Sequence, residues 1–217
     1  MEEQRQSRSS SQNSITSNSS EKNSRTAEIE LKIAIIGLTN TGKSSILHTY
    51  IYQKFPKDIE PTIEDKYSTP IKIEGMYCKL NIMDTSGDKT YDYMFESWVH
   101  ANDGFILTYA FDNKESFNEV KIKYEQIKKN KIKYENQDYS IIIVGNKGDL
   151  KDEEKVVARE EVDKFCKSKG LDNLECSALK NINIKEVIYA ISQRMLQKKY
   201  PEVFGIDDEE IKHCYCF

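Results

Sequence analysis

One run of residues dominates the chemistry available to this chain. Gly37-Leu38-Thr39-Asn40-Thr41-Gly42-Lys43-Ser44 has the spacing of a phosphate-binding loop: a glycine, four residues, then Gly-Lys-Ser. Gly37 and Gly42 are expected to take backbone torsions that side chains resist. Successive N–H groups of Thr39, Asn40, Thr41, Gly42, Lys43, Ser44 and Ser45 then face phosphate oxygens at the start of a helix. In that arrangement Lys43 reaches between the β- and γ-phosphates, and the Ser44 hydroxyl is a ligand for Mg²⁺.

Two further clusters narrow the substrate. Asp84-Thr85-Ser86-Gly87 closes an apolar run, so Asp84 can hold Mg²⁺ through water and Gly87 can offer its N–H to a γ-phosphate. Asn146-Lys147-Gly148-Asp149 closes another. The Asp149 carboxylate can accept from guanine N1–H and the 2-amino group together. Adenine has no such donor pair and would leave a buried carboxylate unpaired, at a cost of roughly 1–3 kcal/mol. The clusters therefore predict GTP and GDP rather than ATP.

These clusters need strands that end on one edge of a sheet. Ile29–Gly37 reads as an apolar strand running into the phosphate loop, and Ile46, Leu47, Tyr50 and Ile51 give the helix after it. Ile71–Glu74 and Cys78–Ile82 alternate with period two around a Glu74-Gly75 turn, which predicts an antiparallel hairpin. Gly104–Phe111 and Tyr139–Val144 are near-continuous apolar runs, as strands buried on both faces require. Leu171–Cys176 reads as a shorter strand. Phe117, Val120, Tyr124 and Ile127 mark one helix, with Asp112 or Ser116 as its cap; Ile184, Val187, Ile188, Ile191 and Met195 mark another, stopped at Tyr200-Pro201. The alternation predicts an α/β fold with helices on both faces of the sheet, over residues 29–199.

Composition excludes other classes. The 217 residues carry 32 basic and 36 acidic side chains, a net charge of −4, which argues against a nucleic-acid binder. The longest apolar runs are too short to span a bilayer, and the N-terminus has no apolar stretch to act as a secretory signal. Five cysteines, an odd count, argue against a disulfide scaffold. Nine of the first 27 residues are serine, so residues 1–28 are expected to be a disordered leader. Residues 200–217 form a C-terminal tail.

Together the phosphate loop, Pro61-Thr62-Ile63-Glu64-Asp65, Asp84–Gly87, Asn146–Asp149 and Cys176-Ser177-Ala178 resemble the five motif boxes of the Ras superfamily of small GTPases. Pro61–Asp65, Ser116-Phe117 and Tyr124–Ile127 resemble its Ras/Rap branch. The resemblance implies a G domain: a six-stranded, mostly parallel sheet with one antiparallel edge strand. It implies a monomeric molecular switch in signal transduction that binds GTP/GDP with Mg²⁺ and hydrolyses GTP, with Lys43, Thr62, Gly87 and the residue at 88 in the catalytic set. Thr62 would complete the Mg²⁺ ligands with Ser44 and Asp84. Phe55 would pack on guanine, with Asn146, Lys147, Asp149, Ser177 and Ala178 around the base and the Ala178 N–H on O6. Pro61, Ile63, Glu64 and Asp65 would form an effector surface that partners extend edge to edge, and Tyr91 and Met94 would contact partners or exchange factors. The implied partners are effectors, a guanine-nucleotide exchange factor and a GTPase-activating protein.

Departures from the family pattern touch chemistry. Asp88 stands where these proteins carry a water-orienting glutamine. An ionised aspartate only accepts, is one methylene shorter, and repels a γ-phosphate, so slow intrinsic hydrolysis is expected; Asp88 acting as a base, or protonated, is the alternative. The limit of the first reading is a GTP-bound signalling module that does not hydrolyse. Thr39 replaces a glycine and would crowd an incoming arginine finger, Ser86 replaces alanine, and Leu179 replaces a lysine that stacks on the base. At the end, Cys214-Tyr215-Cys216-Phe217 has prenylation spacing with a terminal residue that favours geranylgeranyl, although Tyr215 and Cys216 are not aliphatic. The expectation is reversible attachment of Cys214 to the cytoplasmic face of a membrane, the plasma membrane first, with a cytosolic pool; an unmodified tail is the alternative.

Overall fold

The computed structural model describes residues 29–134 and 138–205. The serine-rich leader and the tail that carries Cys214 lie outside the described residues. Six strands, β1 (Ile29–Ile36), β2 (Glu64–Ile73), β3 (Met76–Thr85), β4 (Gly104–Ala110), β5 (Ser140–Asn146) and β6 (Asp172–Glu175), form one sheet in the order β2-β3-β1-β4-β5-β6. Only β2 is antiparallel, and it lies at an edge. Every residue of β4 and β5 is buried, as their unbroken apolar runs require at the centre of a parallel sheet.

Helices cover both faces. α1 (Lys43–Tyr52) and α5 (Ile184–Lys199) bury Ile46, Leu47, Val187 and Ile191 against Leu31, Ile33 and Ile35. On the other face α2 (Phe95–Ala101), α3 (Lys114–Lys133) and α4 (Arg159–Lys169) bury Trp98, Phe117, Val120 and Val162 against Ala34, Ile36, Phe105 and Leu107. Alternate residues of β1 thus feed two separate cores, as period-two geometry demands. A 3-10 turn, Lys89–Met94, leads into α2.

Several boundaries differ from the sequence expectation. The hairpin turn falls at Glu74-Gly75, both with positive φ, but its arms are longer than the alternating segments. β2 begins at Glu64 and contains Pro70, which an edge strand tolerates because one side of its ladder needs no N–H. β6 is shorter than Leu171–Cys176. The cap of α3 is neither Asp112 nor Ser116: Asn113 accepts the Ser116 N–H at 3.0 Å. Ser116 is fully buried, its hydroxyl turned to the Ala110 N–H at 3.0 Å, while Asp112 pairs with Lys147. α5 ends at Lys199, ahead of Pro201, as expected.

Candidate functional site

The carboxyl ends of β1, β3 and β5 open into a cavity of about 670 Å³. Most of the predicted nucleotide residues line it: Thr39, Asn40, Gly42, Lys43, Ser44 and Ser45 from the phosphate loop, Phe55 and Thr62 from the loop before β2, Gly87 and Asp88 after β3, and Asn146, Lys147, Asp149 and Ala178 at the far end. Gly37, Thr41, Ser177 and Asp84 are not in the lining, and each has a supporting place instead.

Gly42 takes φ 88 as it opens α1, the left-handed torsion expected of it. Gly37 does not. Its glycine is required by close approach, since a Cβ there would lie 2.2 Å from the Thr108 carbonyl oxygen. Thr41 is fully buried and its hydroxyl donates to the Leu38 carbonyl at 2.8 Å. Lys43, 6% exposed, donates from Nζ to the Leu38 carbonyl at 3.0 Å. Burial pushes its ammonium down to about 8, and the charge of Asp84 offsets only part of that.

The Ser44 and Thr62 hydroxyl oxygens lie 3.1 Å apart. Asp84 is fully buried beside them, and neither of its carboxylate oxygens has a hydrogen-bond partner. Burial pushes its carboxyl up to about 6; the nearby Ser44 hydroxyl and the Lys43 ammonium offset part of that without either forming a hydrogen bond to it. Two hydroxyls and an orphaned carboxylate are hard oxygen donors with room for water and phosphate ligands, a set that fits Mg²⁺.

At the base end, Asp149 is exposed to the cavity and accepts the Ser177 hydroxyl at 2.5 Å, so Ser177 orients the carboxylate from behind. Asn146 is a clasp: its amide donates to the Thr41 carbonyl at 2.9 Å and accepts the Ala178 N–H at 3.1 Å. Two residues expected around the base are thus bonded to each other in the folded chain. Asn146, 3% exposed, serves the loops, and the Ala178 N–H reaches guanine O6 only by sharing or leaving its Asn146 bond. Lys147 has φ 64 and its ammonium pairs with Asp112 at 2.8 Å, a tie the sequence reading missed because the partners stand far apart in the chain. Phe55 and Leu179 stand exposed at the mouth.

The loops over the phosphate end touch one another. The Thr39 N–H donates to the Gly87 carbonyl at 3.1 Å, and the Ser86 N–H to the Ile63 carbonyl at 2.9 Å. A Cβ on Gly87 would meet Thr39 N at 2.3 Å, so only glycine lets this loop close on the phosphate loop. Asp88 caps the 3-10 turn, accepting the Thr90 N–H at 2.9 Å. Those Thr90 bonds hold its carboxyl below the usual range, which favours the ionised form over a protonated one. Among the expected effector residues, Pro61, Ile63 and Asp65 are exposed, whereas Glu64 is engaged with Lys66 and with the Trp98 indole.

Residues 32–197 match the family model described as "Ras family". Ras-related protein R-Ras of Mus musculus is 33% identical over 171 residues, covering 79% of this chain and 76% of that protein. The Homo sapiens protein of the same description is 32% identical over the same shares.

Proposed function

This chain belongs to the Ras family, in its Ras/Rap branch, whose members are GTPases that bind GTP or GDP with Mg²⁺, and on that premise we propose a signalling switch with slow hydrolysis. The observation that carries the second half is Asp88: its carboxylate is ionised and committed to the Thr90 N–H. Glutamine can accept a hydrogen bond from water while donating one to a phosphate oxygen. Ionised Asp88 can only accept, so the attacking water is left poorly oriented.

The remaining roles follow the geometry. Ser44 and Thr62, with Asp84 through water, would hold a magnesium ion, which would supply positive charge to the phosphate oxygens. Lys43 and the N–H groups of the loop from Asn40 to Ser45 hold the phosphates, the Thr39 N–H joining them only by leaving the Gly87 carbonyl, and Asp149, braced by Ser177, selects guanine. Thr62 and Gly87 bring two loops against the γ-phosphate, and its loss on hydrolysis releases them. Effectors dock on the β2 edge through Pro61, Ile63 and Asp65, with Glu64 available once it leaves Trp98. Exchange factors accelerate GDP release, and an activating protein must approach past Thr39.

The test is direct. Protein purified without added nucleotide should retain a guanine nucleotide, and after loading with GTP should hydrolyse it in a single turnover at least about tenfold more slowly than a Ras protein that carries the glutamine. Equal rates would defeat the reading; hydrolysis too slow to detect would favour the second reading, a GTP-bound module. For Cys214, we propose prenylation and reversible residence at the cytoplasmic face of the plasma membrane, since one lipid chain binds only marginally. Cys214→Ser should move the protein into the soluble fraction, and identical fractionation of the two forms would remove the lipid from the account.

A further inference from the structure

Behind the loop that carries Gly87 lies a small cavity whose lining includes Gly37, Leu38, Gly87, Asp92, Phe95 and Lys123. Lys123, on α3, is 7% exposed. Its ammonium donates to Asp92 Oδ1 at 2.7 Å, within the 3-10 turn that follows Asp88. It also lies 3.6 Å from Glu119 Oε1, one turn back on α3, and over the Phe95 ring at 4.4 Å from the centroid. One turn beyond Phe95, Trp98 donates its indole N–H to Glu64 Oε2 at 2.8 Å, on the strand that continues the Thr62 loop. A continuous set of contacts thus runs from α3, through the segment after Gly87, to the segment after Thr62.

A nearly buried ammonium must be paired, and the loss of one partner is costly because the charge stays behind. Glu119 shares a helix with Lys123 and stays with it. Asp92 does not: any outward movement of the 3-10 turn removes the shorter of the two contacts and uncovers Phe95. We infer that Lys123 is a positioning residue, a latch that holds the segment after Gly87 against α3 in the arrangement that meets a γ-phosphate. Closure of the two loops is then held in part by the protein's own charges and not by the nucleotide alone. The inference rests on the proposal that these loops close on the γ-phosphate. A ligand that binds the closed arrangement gains affinity in proportion to how far that arrangement is already populated. The latch therefore raises affinity for GTP over GDP, because GDP makes no demand on this segment.

The experiment uses the full chain. Affinities for GDP and for a non-hydrolysable GTP analogue are measured by displacement of a fluorescent guanine nucleotide, and the emission of Trp98, the one tryptophan in the sequence, is followed in both states. The variants are Asp92→Asn, whose half-exposed side chain carries little folding risk, Lys123→Met, the double variant and Lys123→Arg. The expected result is a fall of roughly three- to tenfold in the analogue-to-GDP affinity ratio for each single variant. The double variant should lose no more than either single one, Lys123→Arg should keep most of the ratio, and affinity for GDP should change by less than about twofold. A merely structural role would weaken both nucleotides alike and overturn the latch, as would an unchanged ratio in Asp92→Asn or losses that simply add. Wild-type Trp98 emission that is identical with GDP and analogue would instead overturn the loop-closure proposal, and the latch with it.

Discussion

Lys43→Ala should lower affinity for GTP and GDP by roughly a hundred- to a thousandfold, the effect of removing one member of a desolvated charge contact worth about 3–4 kcal/mol. The expectation comes from where this ammonium sits. It is 6% exposed, held by one carbonyl, and pushed down to about 8 by burial. That is an unfavourable place for a positive charge until phosphate oxygens arrive. The same substitution should leave the melting temperature of the nucleotide-free protein unchanged or raised, because the burial of this charge outweighs its attraction to Asp84. Opposite signs in the two measurements separate a binding role from a packing one. Calorimetric titration with both nucleotides, beside a thermal melt of stripped protein, would decide it. An affinity loss under about tenfold would mean that the backbone cradle and magnesium hold the phosphates without Lys43.

Asp88→Gln should accelerate single-turnover GTP hydrolysis by roughly ten- to a hundredfold, the scale on which one positioned hydrogen-bonding group acts in a transition state. Asp88 is exposed at the cavity edge and already turned toward the Thr90 N–H, so the longer amide has room to reach the attacking water. Because Asp88 is also the cap of the 3-10 turn, the variant gives up that cap and should melt slightly lower. Faster hydrolysis with a lower melting temperature is therefore the expected pair. Asp88→Asn keeps a capping side chain but cannot reach as far, and should stay slow. If Asp88→Gln hydrolyses no faster than the natural chain, the rate is set elsewhere, and Thr39 or Ser86 becomes the residue to change.

The sheet was legible where burial is two-sided. Runs such as Phe105-Ile-Leu and Ile141-Ile-Ile-Val have the composition that a strand buried on both faces requires, and both lie in strands where expected. β2 was legible only at its far end, since its first half alternates buried and exposed positions weakly and carries charges, and Pro70 follows before the alternation of Ile71 and Ile73 begins. The phosphate loop was legible because its geometry is local to the chain. What the sequence withheld are contacts between distant segments: the Asn146 clasp, the Asp112–Lys147 pair and the Asp92–Lys123 latch each join residues that no periodicity relates. Gly37 shows the same limit. The residue type was read correctly, but the reason, a neighbouring carbonyl on β4, belongs to the folded sheet.

The Asn146 clasp bears on how long the protein survives. Its amide joins segments 105 and 32 residues away along the chain, so the base end of the site exists only after β1 and β5 have been brought together. The unfolded chain has nothing to offer a nucleotide. Every bound molecule of GTP or GDP is therefore a ligand of the folded state alone, and at a thousandfold excess over its dissociation constant it adds about 4 kcal/mol to the free energy of unfolding. That is comparable to the whole margin of many domains. The resistance of this chain to proteolysis is therefore expected to rise with the concentration of guanine nucleotide around it, and digestion of stripped and nucleotide-loaded protein side by side would show it.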